Sequence, residues 1–189
     1  MRKSVLICDD KKSWGESISD ILTYTHPDIP VICVRHIDEA QDVLFSDNPP
    51  AVFITDLRGT WTESKKTYES IRRRINEIGE KHGDKGIPGL IRDVQQTNPD
   101  TRIILISGIS PIESARQLGI FGYADKRDIG LSYDNFTENF PRICTLGPLQ
   151  KTEIDSIGKL REGPLNLCNK LAVRQYIERK FPVTRERET

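Results

Sequence analysis

The chain has 189 residues, with 28 Lys and Arg balanced by 28 Asp and Glu and a formal net charge of zero. That length can bury a self-sufficient core without disulfides or a structural metal. The charge balance argues against a nucleic-acid binder, which carries a basic surplus; even the stretch after residue 126 holds 11 Lys and Arg against 9 Asp and Glu, too even for a DNA-reading tail.

The predicted elements alternate short apolar runs with helical patterns, the signature of a parallel sheet with crossover helices. A strand at Val5–Cys8 comes first, followed by a capping-box pattern at Ser13-Trp14-Gly15-Glu16 and a helix with Ile18, Ile21 and Leu22 on one face. A second strand is expected at Val31–Val34, a helix from about Asp38 to Leu44, and a third strand at Ala51–Thr55. Forty-six residues (Asp56 through Thr101) then separate the third and fourth strands, more than one crossover helix needs. Tyr68, Ile71, Ile75 and Ile78 mark an amphipathic helix from about 63 to 81 there. The run His82-Gly83-Asp84-Lys85-Gly86 breaks it, and a second helix covers about 88 to 97. The fourth strand is expected at Arg102–Ile106, a helix from the box Ser110-Pro111-Ile112-Glu113, and the fifth strand at Phe121–Ala124, entered through Gly119 and Gly122. All five strands are nearly all apolar, as strands covered on both faces should be.

These patterns predict an α/β fold with a doubly wound five-stranded parallel sheet. Residues 1–130 form the domain, with an insertion at about 59–87, and 131–189 form a C-terminal extension. The extension reads as a loop-like stretch containing Pro141, Gly147 and Pro148, then a helix over 166–181 with Leu167, Leu171 and Ile177 on its apolar face; 184–189 read as a charged, frayed end. Cys8, Cys33, Cys144 and Cys168 lack CxxC spacing, and Cys8 and Cys33 lie in apolar runs, so buried reduced thiols are expected. The N-terminal apolar run is too brief for a signal peptide and no window reaches the length of a membrane span. The expectation is a soluble, cytoplasmic protein without a membrane partner.

In an open parallel sheet, chemistry collects where strands end at their carboxyl edge. The first strand ends in Asp9-Asp10, the third in Asp56, the fourth in Ser107-Gly108 and the fifth in Lys126. Taken singly, an Asp after a strand is a cap or turn residue, a Ser-Gly a turn and a Lys a solvated charge. Together they place three carboxylates, a hydroxyl and an ammonium on one edge. Three neighbouring carboxylates repel one another unless a cation sits among them. A hard divalent ion, Mg²⁺, fits such oxygen ligands and leaves positions for water and a phosphoryl group. An aspartate can then act as nucleophile toward phosphorus, Lys126 can offset charge on the phosphoryl oxygens, and Ser107 can donate a hydrogen bond to one of them.

These residues resemble the receiver domains of bacterial two-component response regulators, with the flavodoxin-like receiver fold of the minimal chemotaxis regulator. The matching runs are VLICDD at 5–10, VFITDL at 52–57, IILISG at 103–108 and GYADK at 122–126. The resemblance implies that Asp9, Asp10 and Asp56 hold Mg²⁺ together with the backbone carbonyl of Arg58. It implies that Asp56 is the phospho-acceptor, Ser107 the switch hydroxyl, Lys126 the phosphate-pairing lysine and Tyr123 the aromatic switch residue. A charge change at such a site biases a two-state packing element. A proline usually follows that lysine in the family, whereas Arg127 stands here, so the loop is expected to run differently. The insertion beginning near Trp61 is a second departure; it lies close to the site and could shield it. Residues 127–189 resemble no winged-helix or helix-turn-helix output domain, and the last receiver helix is expected to be displaced to 166–181.

The implied partners are a sensor histidine kinase or phosphotransfer protein and a downstream protein target, with direct DNA binding disfavoured. The chain is expected to be a signalling domain rather than an enzyme, catalysing only its own phosphorylation and dephosphorylation. The stripe of the insertion helix either packs on the parent domain or pairs in a homodimer. Two other readings stay open: a pseudo-receiver scaffold that is not phosphorylated, and a Mg²⁺-dependent phosphatase. The second conflicts with the adjacent Asp9-Asp10, since haloacid-dehalogenase-like phosphatases need a DxD run after the first strand.

Overall fold

A computed structural model describes residues 4–57, 86–108, 111–146 and 163–180. The elements follow in the order β1 (Val5–Cys8), α1 (Lys12–Thr25), β2 (Val31–Val34), α2 (Ile37–Leu44), β3 (Val52–Thr55), α3 (Ile87–Thr97), β4 (Arg102–Ser107), α4 (Pro111–Leu118), β5 (Gly122–Asp125), α5 (Lys126–Leu131), α6 (Tyr133–Thr145), β6 (Leu165–Asn166) and α7 (Lys170–Lys180). All strand pairs are parallel, in the order β2-β1-β3-β4-β5-β6. The five expected strands appear within a residue of their predicted bounds, and a short sixth strand joins the edge of β5. The first five keep the 2-1-3-4-5 order of flavodoxin-like folds.

Alternation along the strands divides the core in two. Val5, Ile7, Val52, Ile54, Ile104, Ile106 and Ala124 point to one face, packed with Ile18 and Leu22 of α1, Phe136, Phe140 and Ile143 of α6, and Val173 and Tyr176 of α7. Leu6, Cys8, Phe53, Ile103, Leu105 and Tyr123 point to the other, under Ala40 and Leu44 of α2, Leu90, Ile91 and Val94 of α3, and Ala115 of α4. Residues two apart along a strand share a face, which is why apolar runs of four to six residues suit a sheet covered on both sides.

The structure corrects several expectations. β2 is an edge strand, so Ile32 and Cys33 are exposed although the run is apolar; Cys8, Cys144 and Cys168 are buried free thiols, and Cys33 is not. Ser13 does not cap α1. The helix begins at Lys12 and its N-cap is Lys11, while the capping box in the described residues is His36 with Glu39, at the start of α2. The first part of the stretch expected to be loop-like is helical, with Pro141 inside α6, while Gly147 and Pro148 lie outside the described residues. Proline removes one intrahelical hydrogen bond, but Phe136, Phe140, Ile143 and Cys144 at spacings of three and four bury one face, and the rings of Phe136 and Phe140 stack at 4.8 Å. α6 packs against α1. α7 starts four residues later than expected and buries Val173 and Tyr176, leaving Leu171 at 63% exposure. Ser110, Arg58, Trp61, the insertion helix expected at 63–81 and the charged end at 184–189 lie outside the described residues. Among the described residues, no helix is long and apolar enough to cross a membrane.

Candidate functional site

The parallel register brings the ends of β1, β3 and β5 together. Asp9 follows β1, and its N–H bonds to the Val34 carbonyl at 3.3 Å; Asp56 follows β3, and its N–H bonds to the Cys8 carbonyl at 3.2 Å. Both carboxylates are thereby held in the sheet's own ladder rather than on a free loop. Asp9 Oδ1 accepts from the Lys11 N–H at 2.9 Å, which turns the chain into α1 and fixes the rotamer. Lys126 opens α5 directly after β5, and its Nζ donates to Asp9 Oδ2 at 2.7 Å and Asp56 Oδ2 at 2.6 Å. The ammonium also lies 5.3 Å from the centroid of the Trp14 ring. Asp9 and Asp56 are buried, Asp10 is half-buried, and the Lys126 side chain is only 11% exposed.

Electrostatics at this edge follow from burial working against pairing. Desolvation pushes the Asp9 carboxyl above its usual value, although hydrogen bonds from Lys126 and the Lys11 N–H pull the other way. Desolvation likewise favours the neutral form of Lys126, but its hydrogen bonds to Asp56 and Asp9 outweigh that and raise its pKa. The one ammonium bridges two of the three carboxylates, Asp9 and Asp56. One ligand oxygen each from Asp9, Asp10 and Asp56 lies within 4.8 Å of the others. Two oxygens bound to one Mg²⁺ at about 2.1 Å stand at most about 4.2 Å apart. The trio thus stands near the spacing that one such ion requires, and its all-oxygen donor set suits a hard divalent cation.

The remaining predicted residues stand on the neighbouring strands. Ser107 ends β4 and is 2% exposed, in register with Asp125. Tyr123 sits across from Leu105 on the α2–α3–α4 face. Burial raises its phenol pKa, and its hydroxyl hydrogen-bonds the side chain of Asn166 in β6. Asn166 Oδ1 in turn accepts from the Cys168 N–H at 2.9 Å. No cis peptide occurs among the described residues. At the position after the lysine, Arg127 donates its N–H to Asp125 Oδ1 at 2.8 Å and its guanidinium to both Asp125 oxygens at 3.0 and 2.5 Å. Asp125 is thus the N-cap of α5, and the Arg127 hydrogen bonds hold its carboxyl below the usual value.

Trp14, Asp125 and Asn166 were not singled out by sequence reasoning as parts of this region. For Trp14 a signal existed: it lies four residues after Asp10, one helical turn into the element that leaves the acidic pair. For Asn166 there was none, because a two-residue strand has no periodicity to detect.

No protein-family model matches the chain, and no curated protein matches it in sequence. Many solved structures of response-regulator receiver domains match it in fold at low identity. The signal receiver domain of a DNA-binding response regulator from Colwellia psychrerythraea 34H superposes with a TM-score of 0.52 at 16% identity, over 75% of this chain and 97% of that one. A CheY-like receiver domain from Methanospirillum hungatei JF-1 gives a TM-score of 0.48 at 16% identity, over 84% and 98% of the two chains. A response-regulator receiver protein from Pseudomonas putida gives 0.46 at 22% identity, over 71% and 94%. The first likeness and the strand order carry the assignment: this chain has the flavodoxin-like fold of response-regulator receiver domains.

Proposed function

We propose that the chain is a receiver that accepts a phosphoryl group on Asp56, with Mg²⁺, and signals through a protein partner. The observation that supports this most directly is the buried bridge from Lys126 Nζ to Asp9 and Asp56, at 2.7 and 2.6 Å, beside a trio of carboxylates close enough to share one cation. Asp9, Asp10 and Asp56 would hold Mg²⁺, with the Arg58 carbonyl as a further ligand. Bound there, the ion would supply charge neutralisation and orientation for the incoming phosphoryl oxygens.

An Asp56 carboxylate oxygen attacks the phosphorus of the donor, the bond from phosphorus to the donor atom breaks, and the electron pair leaves with the donor. From a small acyl phosphate the leaving group is a carboxylate; from a phosphohistidine of a sensor kinase or phosphotransfer protein it is an imidazole nitrogen, which then takes a proton. Lys126 gives up its bond to the Asp56 carboxylate and pairs with a phosphoryl oxygen, and Ser107 donates to another. Asp56 goes from one negative charge to roughly two. Because Lys126 begins α5 immediately after β5, a change in the charge that its ammonium pairs with is transmitted to the strand that carries Tyr123 and, through Asn166, to β6. This gives the charge change a route to a surface that a protein partner can read. Turnover of an external substrate is no part of this reading, and neither is direct DNA binding.

The test is the intact mass of the protein after incubation with Mg²⁺ and acetyl phosphate, with Asp56→Asn alongside and beryllofluoride binding as a check for a short-lived adduct. A single phosphoryl adduct, absent in Asp56→Asn and without Mg²⁺, is the expected result. With neither adduct nor metal-dependent beryllofluoride binding, the chain is instead a scaffold that keeps an acidic edge without using it.

A further inference from the structure

We infer that Trp14 is a positioning residue for Lys126: its indole face holds the ammonium in place as the charges around it change. The inference rests on the reading of Asp56 as phospho-acceptor and deepens it. The ammonium has neighbours of two kinds. Asp9 Oδ2 and Asp56 Oδ2 take two of its three N–H bonds at 2.7 and 2.6 Å. The third contact is the Trp14 ring, whose centroid is 5.3 Å away, within the range over which an aromatic face attracts a cation.

The two kinds of neighbour respond differently to the reaction. When Asp56 becomes an acyl phosphate, Lys126 exchanges the carboxylate it now bonds for a phosphoryl oxygen. When Asp9 shares a divalent cation, its oxygen has less negative potential to offer. The ring does not titrate, is not a metal ligand and is not consumed. Among the described neighbours of the ammonium it is therefore the one that is the same before, during and after transfer, and an ammonium already held where the phosphoryl oxygen arrives needs no reorganisation in the reacting state. The backbone supports this placement. The Trp14 N–H bonds to the Lys11 carbonyl at 3.0 Å in the first turn of α1, and Lys11 is in turn bonded to Asp9. Ring and carboxylate thus share one rigid segment. The alternative is that Trp14, which is half-buried against the core beneath α1, serves packing alone.

Three proteins separate these roles: wild type, Trp14→Phe, which keeps an aromatic face, and Trp14→Leu, which keeps apolar bulk without one. With lysine labelled at the ε-carbon, the Lys126 ε-methylene signal, assigned by its loss in Lys126→Met, reports the ring current. It should be displaced upfield in wild type, remain so on adding Mg²⁺ and beryllofluoride, be partly displaced in Trp14→Phe and be undisplaced in Trp14→Leu. Adduct formation from acetyl phosphate should slow about fivefold in Trp14→Leu and recover most of its rate in Trp14→Phe. Equal rates in Trp14→Leu and wild type, or loss of the upfield displacement once beryllofluoride is bound, overturns the role of Trp14 and leaves the acceptor reading intact. Failure of wild type to form any adduct overturns the acceptor reading, and the ring-current comparison still decides whether Trp14 holds Lys126.

Discussion

Burial costs the Lys126 ammonium its hydration, yet its bonds to Asp56 and Asp9 leave it more basic than a free lysine. Removing it strands two buried carboxylates, and breaking a buried pair in this way costs about 3 kcal/mol. In Lys126→Met the urea midpoint should therefore fall without Mg²⁺ and recover in part when Mg²⁺ is added, by more than wild type gains. An unchanged midpoint would show that the ammonium does not hold these carboxylates. Asp125 gives a prediction in pH. Its carboxyl is held low by Arg127, so the unfolded chain takes up its proton first as the pH drops. The stability it contributes is complete above about pH 4 and is lost as the pH falls through the lowered folded value. Asp125→Asn keeps a side chain able to cap α5 while removing the charge. Wild type and variant should therefore differ at neutral pH and converge in acid, as followed by thermal unfolding across the pH range. The residues of the acidic edge were legible in sequence because each ends an apolar strand. The Asp125–Arg127 fork was not, since a pair two residues apart reveals its geometry only once the strand-to-helix turn is known.

At the level of elements, β6 depends on a close approach. A Cβ added at Gly122 would lie 3.1 Å from the Leu165 carbonyl oxygen, a backbone atom that can yield only by moving the strand. The Leu165 and Leu167 N–H groups bond to the Phe121 and Tyr123 carbonyls at 3.0 and 2.9 Å. Gly122→Val should accordingly speed amide exchange at Leu165 and Leu167 while leaving β1 and β3 protected; unchanged exchange there would mean that the edge accommodates a side chain. The first five strands could be read from sequence because a buried parallel strand is a dense apolar run. α6 was hidden by Pro141, which reads as a helix breaker even though Phe136, Phe140 and Ile143 keep helical spacing around it. β6 was hidden by its length. The exposure of β2 could not be foreseen from its composition, because edge position is a property of strand order rather than of the strand.

At the level of the whole molecule, the apolar core draws on more of the chain than the motifs at 5–126 suggest. The face of the sheet that carries Val5, Val52 and Ile104 is covered in part by Phe136, Phe140 and Ile143 of α6 and by Val173 and Tyr176 of α7, all buried. Tyr176 meets Phe121 edge-on at 5.4 Å, and Asn139 Nδ2 donates to the Leu167 carbonyl at 3.2 Å, tying α6 to the end of β6. These contacts belong to the same apolar cluster as β1 and β3, so α6, β6 and α7 should behave as part of the folding unit rather than as a detachable tail. A chain ending at residue 130 would expose that face, and a patch of this size drives aggregation; it should fail to give a cooperative unfolding transition. Tyr176→Ala is the finer probe, because it empties one site in an intact chain. Truncating a large buried aromatic costs about 3 kcal/mol, and the loss should appear in a single transition, with β1 amides and α7 amides losing protection together. If α7 amides alone became exchangeable while the sheet kept its stability, the C-terminal segment would be a separately docked element.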